Sequence, residues 1–314
     1  MTAFASVPLL EWKKRLWPFL ALSRTPHGII DMAAPAVAAL LCLGGFPPLS
    51  IVLVGALTMF AGYTAVYALN DLVDVRIDRA KVGIGGYSDA DAYVDGVLVR
   101  HPLAKDVLSV PAGLTWALGW GLVALAGAWW LNPVCLYLFL AGCLLEAVYC
   151  KLLRISPWRA VVNGIVKTVG ALAAVFAVQP QPDPLFLGLL FLWLFCWEIG
   201  GQNIPNDLTD IEEDRHFKAQ TIPVRLGPRR AAILSLLLLT ATLVLHPLLL
   251  WSSPLAVRGI DLAAAVAVVY FLLLRPALHL AQERERRRAM KLFNQASFYP
   301  LAALVLVLLR LMFS

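Results

Sequence analysis

Two aspartate-rich segments of this chain have nearly the same sequence. NDLVDVRIDR runs from Asn70 to Arg79 and NDLTDIEEDR runs from Asn206 to Arg215, with six of ten positions identical. In each segment an asparagine and two aspartates recur every fourth residue, which places them on one face of a helix. Carboxylates held close together repel by about 1 kcal/mol at 4 Å in water, and more at a protein surface. The pair of segments therefore predicts two acidic columns with a cation between them.

Carboxylate and amide oxygens are hard ligands that suit Mg²⁺, which shares its other positions with water and phosphate oxygens. We therefore predict a magnesium site that binds a phosphorylated ligand. The predicted metal ligands are Asn70, Asp74, Asp78, Asp207, Asp210 and Asp214. The alternative is a pair of solvated helix ends, which the repeated spacing disfavours.

Cationic and polar side chains are expected to bind the parts of the substrates that the metal ion does not hold. Arg100 follows the first acidic segment, and Lys167 lies inside an apolar stretch. The predicted substrate-binding residues are Asn70, Arg100, Lys151, Arg154, Asn163, Lys167, Glu198, Gln202, Asn206 and Asp207.

Three interpretations of Lys167 are open, because a charge at membrane depth normally has a partner or a function. Lys167 binds phosphate or carboxylate, pairs with an acidic residue such as Glu198 or Glu146, or extends its ammonium to the membrane surface. For Glu198 and Gln202 two interpretations are open. They face an acceptor substrate in the cavity, or they make hydrogen bonds between helices.

The elements that must position these residues are membrane helices. The chain has 314 residues, 60% of them hydrophobic, and a mean hydropathy of +0.76. Soluble domains are nearer half apolar, and a membrane helix needs about 20 apolar residues. Nine such stretches are predicted at 28–46, 50–70, 109–131, 132–150, 158–178, 184–204, 231–251, 259–275 and 293–312.

We therefore predict an all-α polytopic membrane protein, with nine transmembrane helices around a central cavity. Residues 1–314 form one domain, and residues 1–25 form an interfacial N-terminal segment. Both acidic segments follow an even-numbered span, so their host helices point the same way. This predicts a parallel internal repeat, roughly spans 1–4 against spans 5–8. The loop 82–99 contains aspartates that do not fit the EF-hand spacing. We interpret it as an ordered or mobile loop near the active site and as a candidate lid.

The distribution of basic residues predicts the topology. If the N-terminus is cytoplasmic, all but three of the 26 Lys and Arg lie on the cytoplasmic side. The exceptions are Arg258, Arg310 and the intramembrane Lys167. This asymmetry follows the positive-inside rule, and basic loops facing anionic lipid account for the net charge of +6 without a nucleic-acid partner. The acidic site is therefore expected at the cytoplasmic face, in a membrane of the bacterial inner-membrane type.

These motifs resemble the UbiA superfamily of intramembrane prenyltransferases. The resemblance rests on N-D-x-x-D-x-x-x-D in the second span and on NDLTDIEEDRHFKAQTIPVRLG after the sixth. Arg100, Pro102 and Leu103 resemble the family's R-P-L element, although His101 separates the arginine from the proline. Tyr149 and Lys151 loosely resemble its conserved region after the fourth helix.

The resemblance implies Mg²⁺-dependent transfer of a polyprenyl group from an isoprenoid diphosphate to a lipophilic acceptor within the membrane. An aromatic, quinone-precursor-like acceptor is expected, with a glycerol-type lipid as the alternative. The implied catalytic residues are Asp71, Asp74, Asp78, Asp210 and Asp214, with Asp71 as the proton acceptor.

Two other classes of protein also use intramembrane aspartates. A CDP-alcohol phosphotransferase carries its acids in one run, whereas here they are divided between two segments. An ion or lipid transporter places its site near the middle of the bilayer, whereas these acids are predicted at the rim. The acceptor, the length of the prenyl chain and the oligomeric state are left open by the sequence.

Overall fold

The computed structural model describes residues 9–83, 96 and 98–313. Within these residues, nine helical stretches are long and apolar enough to cross a membrane, which confirms the predicted number. We name them spans 1 to 9, and they run Thr25–Leu43, Leu49–Gly83, Val110–Leu131, Pro133–Arg154, Arg159–Val178, Pro184–Thr209, Pro228–Ser252, Gly259–Glu283 and Arg286–Met312. The all-α fold is confirmed, and the described residues contain no strand.

Short elements complete the chain around these spans. A helix at Leu9–Leu22 precedes span 1, within the segment predicted to be interfacial. Two further helices, Ile211–His216 and Ile222–Leu226, follow span 6. Most of the loop predicted near the active site, at 84–95 and 97, lies outside the described residues.

Polar side chains at the turns define where several spans begin. The Asn132 side chain accepts a hydrogen bond from the Val134 amide and donates one to the Phe176 carbonyl of span 5. Asp183 accepts from the first amides of span 6, and Ser109 accepts from the Ala112 amide in span 3. Such caps satisfy amides that have no partner inside the helix.

Span 2 is much longer than a membrane crossing requires. Its 35 residues extend about 52 Å, against about 30 Å for the hydrocarbon core, and the predicted end at residue 70 falls well short of Gly83. The whole first acidic segment is therefore helical, as its spacing predicts. The helix carries Asn70, Asp74 and Asp78 beyond the apolar part of the span.

Span 6 is interrupted, and here the expectation of a continuous acidic helix is wrong. The backbone is π-helical over Glu198–Asn203 and α-helical over Ile204–Thr209, and it leaves helical geometry at Asp210 (φ −108°, ψ 14°). The Thr209 hydroxyl donates to the Asn206 carbonyl at 2.7 Å, a side-chain bond that competes with helical pairing. A new helix then begins at Ile211, so Asp210 and Asp214 do not continue the face of Asn206.

Spans 5 to 9 pack with span 1 around the largest apolar core of the described residues, whose fully buried members include Leu190, Trp193 and Leu239. The outer surface is also apolar. On span 3, for example, Leu118, Leu122 and Trp129 are exposed. Exposed large apolar side chains over a helical bundle are expected where lipid is the solvent. The internal repeat stays a prediction.

Candidate active site

A cavity of about 740 Å³ lies among spans 1 to 6 and span 9. Both acidic segments reach it. Its lining includes the predicted metal and substrate residues Asn70, Asp74, Asp78, Asn206, Asp207, Asp210 and Asp214. The two segments therefore share one chamber, as their pairing predicts.

Ion pairs tie the second acidic segment to two cationic residues that follow the first segment. Lys81 Nζ lies 3.2 Å from Asp214 Oδ1, and Arg100 Nη2 lies 3.3 Å from Asp210 Oδ2. Arg100 was predicted, whereas Lys81 was missed. A signal for Lys81 is present in the sequence, because it follows Asp74 and Asp78 at helical spacing on the same face of span 2.

His101 is the residue that separates Arg100 from Pro102, where the R-P-L element of the family has none. Its Nδ1 lies 3.3 Å from Asp71 Oδ1 and 3.1 Å from Asp78 Oδ2. Burial alone lowers the pKa of His101, but the carboxylates of Asp71 and Asp78 outweigh it, and the pKa is raised above its usual value. His101 thus orients two aspartates of the first acidic segment.

Asp71 differs from the other predicted catalytic residues in its surroundings. It is buried, it is not among the residues that line the cavity, and Arg24 Nη2 lies 3.3 Å from its Oδ1. With His101 on the same oxygen, Asp71 is held by two cationic partners. Its role as proton acceptor stays a prediction, and these contacts point instead to a positioning role.

The second acidic segment concentrates negative charge in a buried place. Burial and the neighbouring carboxylate of Asp210 raise the pKa of Asp214, although the Lys81 ammonium opposes the shift. Crowded carboxylates shift in this direction when no cation relieves them. The segment therefore favours a bound cation.

Orphaned oxygens test whether a metal ion fits. Among the described residues, no hydrogen-bond donor reaches Asp207 Oδ2 or Asn203 Oδ1, although both atoms are buried and both residues line the cavity. Buried acceptors normally have partners, and oxygen ligands of this kind suit Mg²⁺. The residues present therefore fit the predicted ion.

Arg159, at the start of span 5, is a functional candidate that sequence reasoning missed. Its guanidinium lies 4.2 Å from the centre of the Tyr149 ring, and its Nε has no hydrogen-bond partner within the described part of the chain. It lines the cavity together with Asn163 and Lys167. These three residues recur every fourth position, a helical-face signal that the sequence contains.

Lys151 and Arg154 were predicted to bind substrate, but the structure does not bring them to the cavity. Both are exposed, and neither is among the lining residues. They lie in the last turns of span 4, where the helix reaches the surface, and Arg159 on the next span supplies the inward-facing cation instead. The physical reason is that the chain turns between spans 4 and 5, so these two side chains at the end of span 4 face the surface while Arg159 at the start of span 5 faces the cavity.

Lys167 pairs with an acid, but not with either acid expected from the sequence. Its Nζ lies 2.8 Å from Asp31 Oδ2 and 2.7 Å from the Tyr67 hydroxyl. The partner comes from span 1, close to Met32, where the helix of that span is divided into two segments. Lys167 nevertheless lines the cavity.

Two carboxamide–carboxylate pairs lie at a similar level. Asn70 donates to Glu146 Oε1 at 2.6 Å, and Asn163 donates to Glu198 Oε1 at 2.8 Å. Together with the Lys167 contacts described above, these two pairs form a set that we call the inner polar layer. Its members are Asp31, Tyr67, Asn70, Glu146, Asn163, Lys167 and Glu198. Apart from Asn70, which begins the first acidic segment, its members lie outside the two acidic segments.

Gln202 makes the hydrogen bonds between helices that were one of its two interpretations. Its Nε2 donates to the Phe293 carbonyl, and its Oε1 accepts from the Ser297 hydroxyl, each at 3.3 Å. Both partners belong to span 9. Gln202 therefore ties span 6 to span 9, although it also borders the cavity.

The nine apolar spans make this chain an integral, multi-pass membrane protein, and the acid-rich chamber is a polar site buried inside it. Residues 32–307 match the UbiA prenyltransferase family, and the chain belongs to that family. The predicted enzyme class, a prenyltransferase, is thereby confirmed.

Relatives differ in the acceptor that their names imply. The chain is 24% identical over 231 residues to a digeranylgeranylglyceryl phosphate synthase of Thermococcus kodakarensis, covering 72% of this chain and 75% of the relative. It is 26% identical over 253 residues to a 4-hydroxybenzoate octaprenyltransferase of Tolumonas auensis, covering 80% and 82%.

The fold is similar to that of a UbiA homologue from Archaeoglobus fulgidus that was solved with GPP and Mg²⁺. The TM-score is 0.63 at 16% identity, and the match covers 92% of this chain and 99% of the other. At this identity the comparison shows a shared fold.

Proposed function

We propose that this protein transfers a polyprenyl group from an isoprenoid diphosphate to a lipophilic acceptor inside the membrane. The observation that carries the proposal is the meeting of two acidic segments at one end of a cavity whose remaining walls are mostly apolar. One end suits a diphosphate and the rest suits an isoprenoid chain. The ion pairs of Lys81 with Asp214 and of Arg100 with Asp210 support this arrangement.

Asp74, Asp78, Asp207, Asp210 and Asp214, with the amide oxygens of Asn70 and Asn206, would hold Mg²⁺. When bound, this ion supplies Lewis-acid stabilisation of the diphosphate as its bond to the prenyl carbon breaks. The ion matches the one bound with GPP by the Archaeoglobus fulgidus neighbour. Asp207 is the residue that argues most directly for it, because its buried Oδ2 lacks a donor among the described residues.

Cations of the chain take the other side of the diphosphate. Arg159 lines the cavity with an unsatisfied buried Nε in the described structure, and a guanidinium binds phosphate oxygens bidentately. Lys81 and Arg100 hold the second acidic segment in place and lie within the same chamber. Such fixed charges stabilise the negative charge that develops on the leaving group.

The apolar part of the cavity holds the prenyl chain and excludes water. Its lining follows span 2 back to Ile51 and Val52 and follows span 5 to Val178, which are the ends opposite to the acidic segments. A developing allylic cation would react with water, so a dry wall protects it. The acceptor attacks the prenyl carbon from within this shielded space.

The acceptor we propose first is aromatic and quinone-precursor-like, in line with the Tolumonas auensis relative. The second candidate is a glycerol-type lipid, in line with the Thermococcus kodakarensis relative.

Following the distribution of basic residues, we place the N-terminus and the acidic end of the cavity on the cytoplasmic side of a bacterial-type inner membrane.

The test uses the purified protein in lipid nanodiscs with C1-labelled geranylgeranyl diphosphate. The acceptor probes are 4-hydroxybenzoate, 1,4-dihydroxynaphthalene and geranylgeranylglyceryl phosphate. We expect a prenylated product and release of diphosphate that EDTA stops and Mg²⁺ restores. Movement of ions or lipid across liposomes with no product would instead favour a transporter.

A further inference from the structure

We infer that Glu198 binds a hydroxyl group of the prenyl acceptor, and that the acceptor carries no anionic group at this level of the cavity. The inference rests on the proposed function, because it specifies the acceptor of that reaction. Glu198 is 2% exposed and lines the cavity. It opens the π-helical segment Glu198–Asn203, and π-helical turns inside α-helices often occur at functional sites.

The two carboxylate oxygens of Glu198 are in different situations. Oε1 accepts the hydrogen bond from Asn163 Nδ2 at 2.8 Å. Oε2 is buried and has no hydrogen-bond partner among the residues that the structure describes. Burying such an acceptor without a donor is costly. A hydroxyl that a ligand brings into the cavity would satisfy this oxygen.

Neither part of the prenyl diphosphate can supply that donor. Glu198 lies nine residues before Asp207 on span 6, about two helical turns away, so the diphosphate bound among the aspartates is remote from it. The prenyl chain is a hydrocarbon with no donor at all. The remaining ligand is the acceptor, and a hydroxyl is the neutral group that donates to a carboxylate.

The charges around Glu198 disfavour an anionic acceptor group beside it. Glu146 is a second buried carboxylate of the inner polar layer. The nearby ammonium, that of Lys167, is already 2.8 Å from Asp31 Oδ2 and 2.7 Å from the Tyr67 hydroxyl. An added carboxylate or phosphate here would meet like charges in a place of low dielectric. A neutral hydroxyl meets a hydrogen-bond acceptor.

The first experiment leaves the protein unchanged and varies the acceptor probe. We compare 1,4-dihydroxynaphthalene with 1,4-dimethoxynaphthalene, which lacks the donor, and with 1,4-dihydroxy-2-naphthoate, which adds an anion. A second pair compares geranylgeranylglycerol with its phosphate. We expect the neutral hydroxyl-bearing member of each set to have the lowest KM. A lower KM for the anionic members, or no binding by any neutral probe, would overturn the inference.

The second experiment changes Glu198. Glu198→Gln has the same size but lacks the carboxylate, and Glu283→Gln is the matched control, since Glu283 is an exposed glutamate that does not line the cavity. We expect E198Q to raise the KM of the neutral acceptor about 10- to 100-fold, the loss expected for a hydrogen bond to a charged group. The KM of the prenyl diphosphate should stay within about twofold, as for E283Q.

A third variant separates binding from folding. Glu198→Asp keeps the charge on a shorter side chain and should recover part of the acceptor affinity that E198Q loses. An acceptor KM for E198Q equal to that of E283Q would show that Glu198 is structural only. If instead the wild-type protein neither binds prenyl diphosphate nor releases diphosphate with Mg²⁺, the proposed function itself fails, which is a different result.

Discussion

The ammonium of Lys81 lies 3.2 Å from the carboxylate of Asp214, and this contact joins the end of span 2 to the second acidic segment across the cavity. Both side chains are buried, at 9% and 4% exposure. Lys81 comes from the extension of span 2 and Asp214 from the helix that follows span 6. The pair therefore fixes the distance between the two elements that would share a metal ion and a diphosphate.

Breaking this ion pair should reduce the stability of the folded protein. Lys81→Met leaves the Asp214 carboxylate buried without its partner, which should lower the free energy of unfolding by about 1–3 kcal/mol. A double-mutant cycle with Asp214→Asn, followed by equilibrium unfolding in mixed micelles, measures the coupling. Additive effects of the two changes would contradict a direct interaction.

Removing a metal-binding carboxylate should abolish turnover without unfolding the protein. Asp74→Ala and Asp210→Ala each delete a carboxylate that lines the cavity, so we expect the rate of diphosphate release to fall about 100-fold or more. Thermal unfolding of D74A should stay close to that of the wild type, whereas D210A also loses its ion pair with Arg100, and both variants should still elute from a sizing column as folded protein. Retained activity in both variants would count heavily against the site.

The apolar end of the cavity should discriminate donors by chain length. Gly55 lines the cavity, and a Cβ built there meets no atom within 4 Å. Gly55→Phe should therefore fill space used by the prenyl chain while improving helix propensity. We expect turnover of geranylgeranyl diphosphate to fall by at least about tenfold, or ~1.4 kcal/mol, relative to dimethylallyl diphosphate.

The control for this change is Gly119→Phe on span 3. Gly119 has equally open surroundings but lies outside the cavity lining, so both donors should react as in the wild type. If G55F slowed the two donors equally, the prenyl chain would have to lie elsewhere.

Packing beside the π-helical segment should tolerate no added methyl group at Gly200. A Cβ there would lie 2.9 Å from Leu238 Cβ and 3.0 Å from the Ser235 carbonyl oxygen. Gly200→Ala should therefore destabilise the protein by about 1–3 kcal/mol, detected as a lower unfolding temperature. Gly188→Ala on the same span is the control, since its added Cβ meets nothing within 4 Å. Equal unfolding temperatures for the two variants would exclude this tight contact.

Several site residues missed in the sequence were within reach of helical periodicity. Lys81 shares a face with Asp74 and Asp78, and Arg159 shares one with Asn163 and Lys167, because a helix repeats every 3.6 residues. Extending each predicted face by one or two turns would have found both. His101 stands in the sequence as an insertion, but its contacts with Asp71 and Asp78 link it to residues 30 and 23 positions earlier, which no local spacing reveals.

The sequence by itself determined the membrane class, the nine spans, the two acidic segments and the family resemblance, since these depend on local composition and on spacing along one helix. The tertiary structure alone decided which groups face one another. Lys167 pairs with Asp31, 136 positions away, and not with Glu198 or Glu146. The side chains of Lys151 and Arg154 are exposed, whereas Arg159 lines the cavity. The helix that carries the second acidic segment is interrupted at Asp210. Contacts between distant helices depend on how the spans rotate and pack together, and no local pattern of residues encodes that.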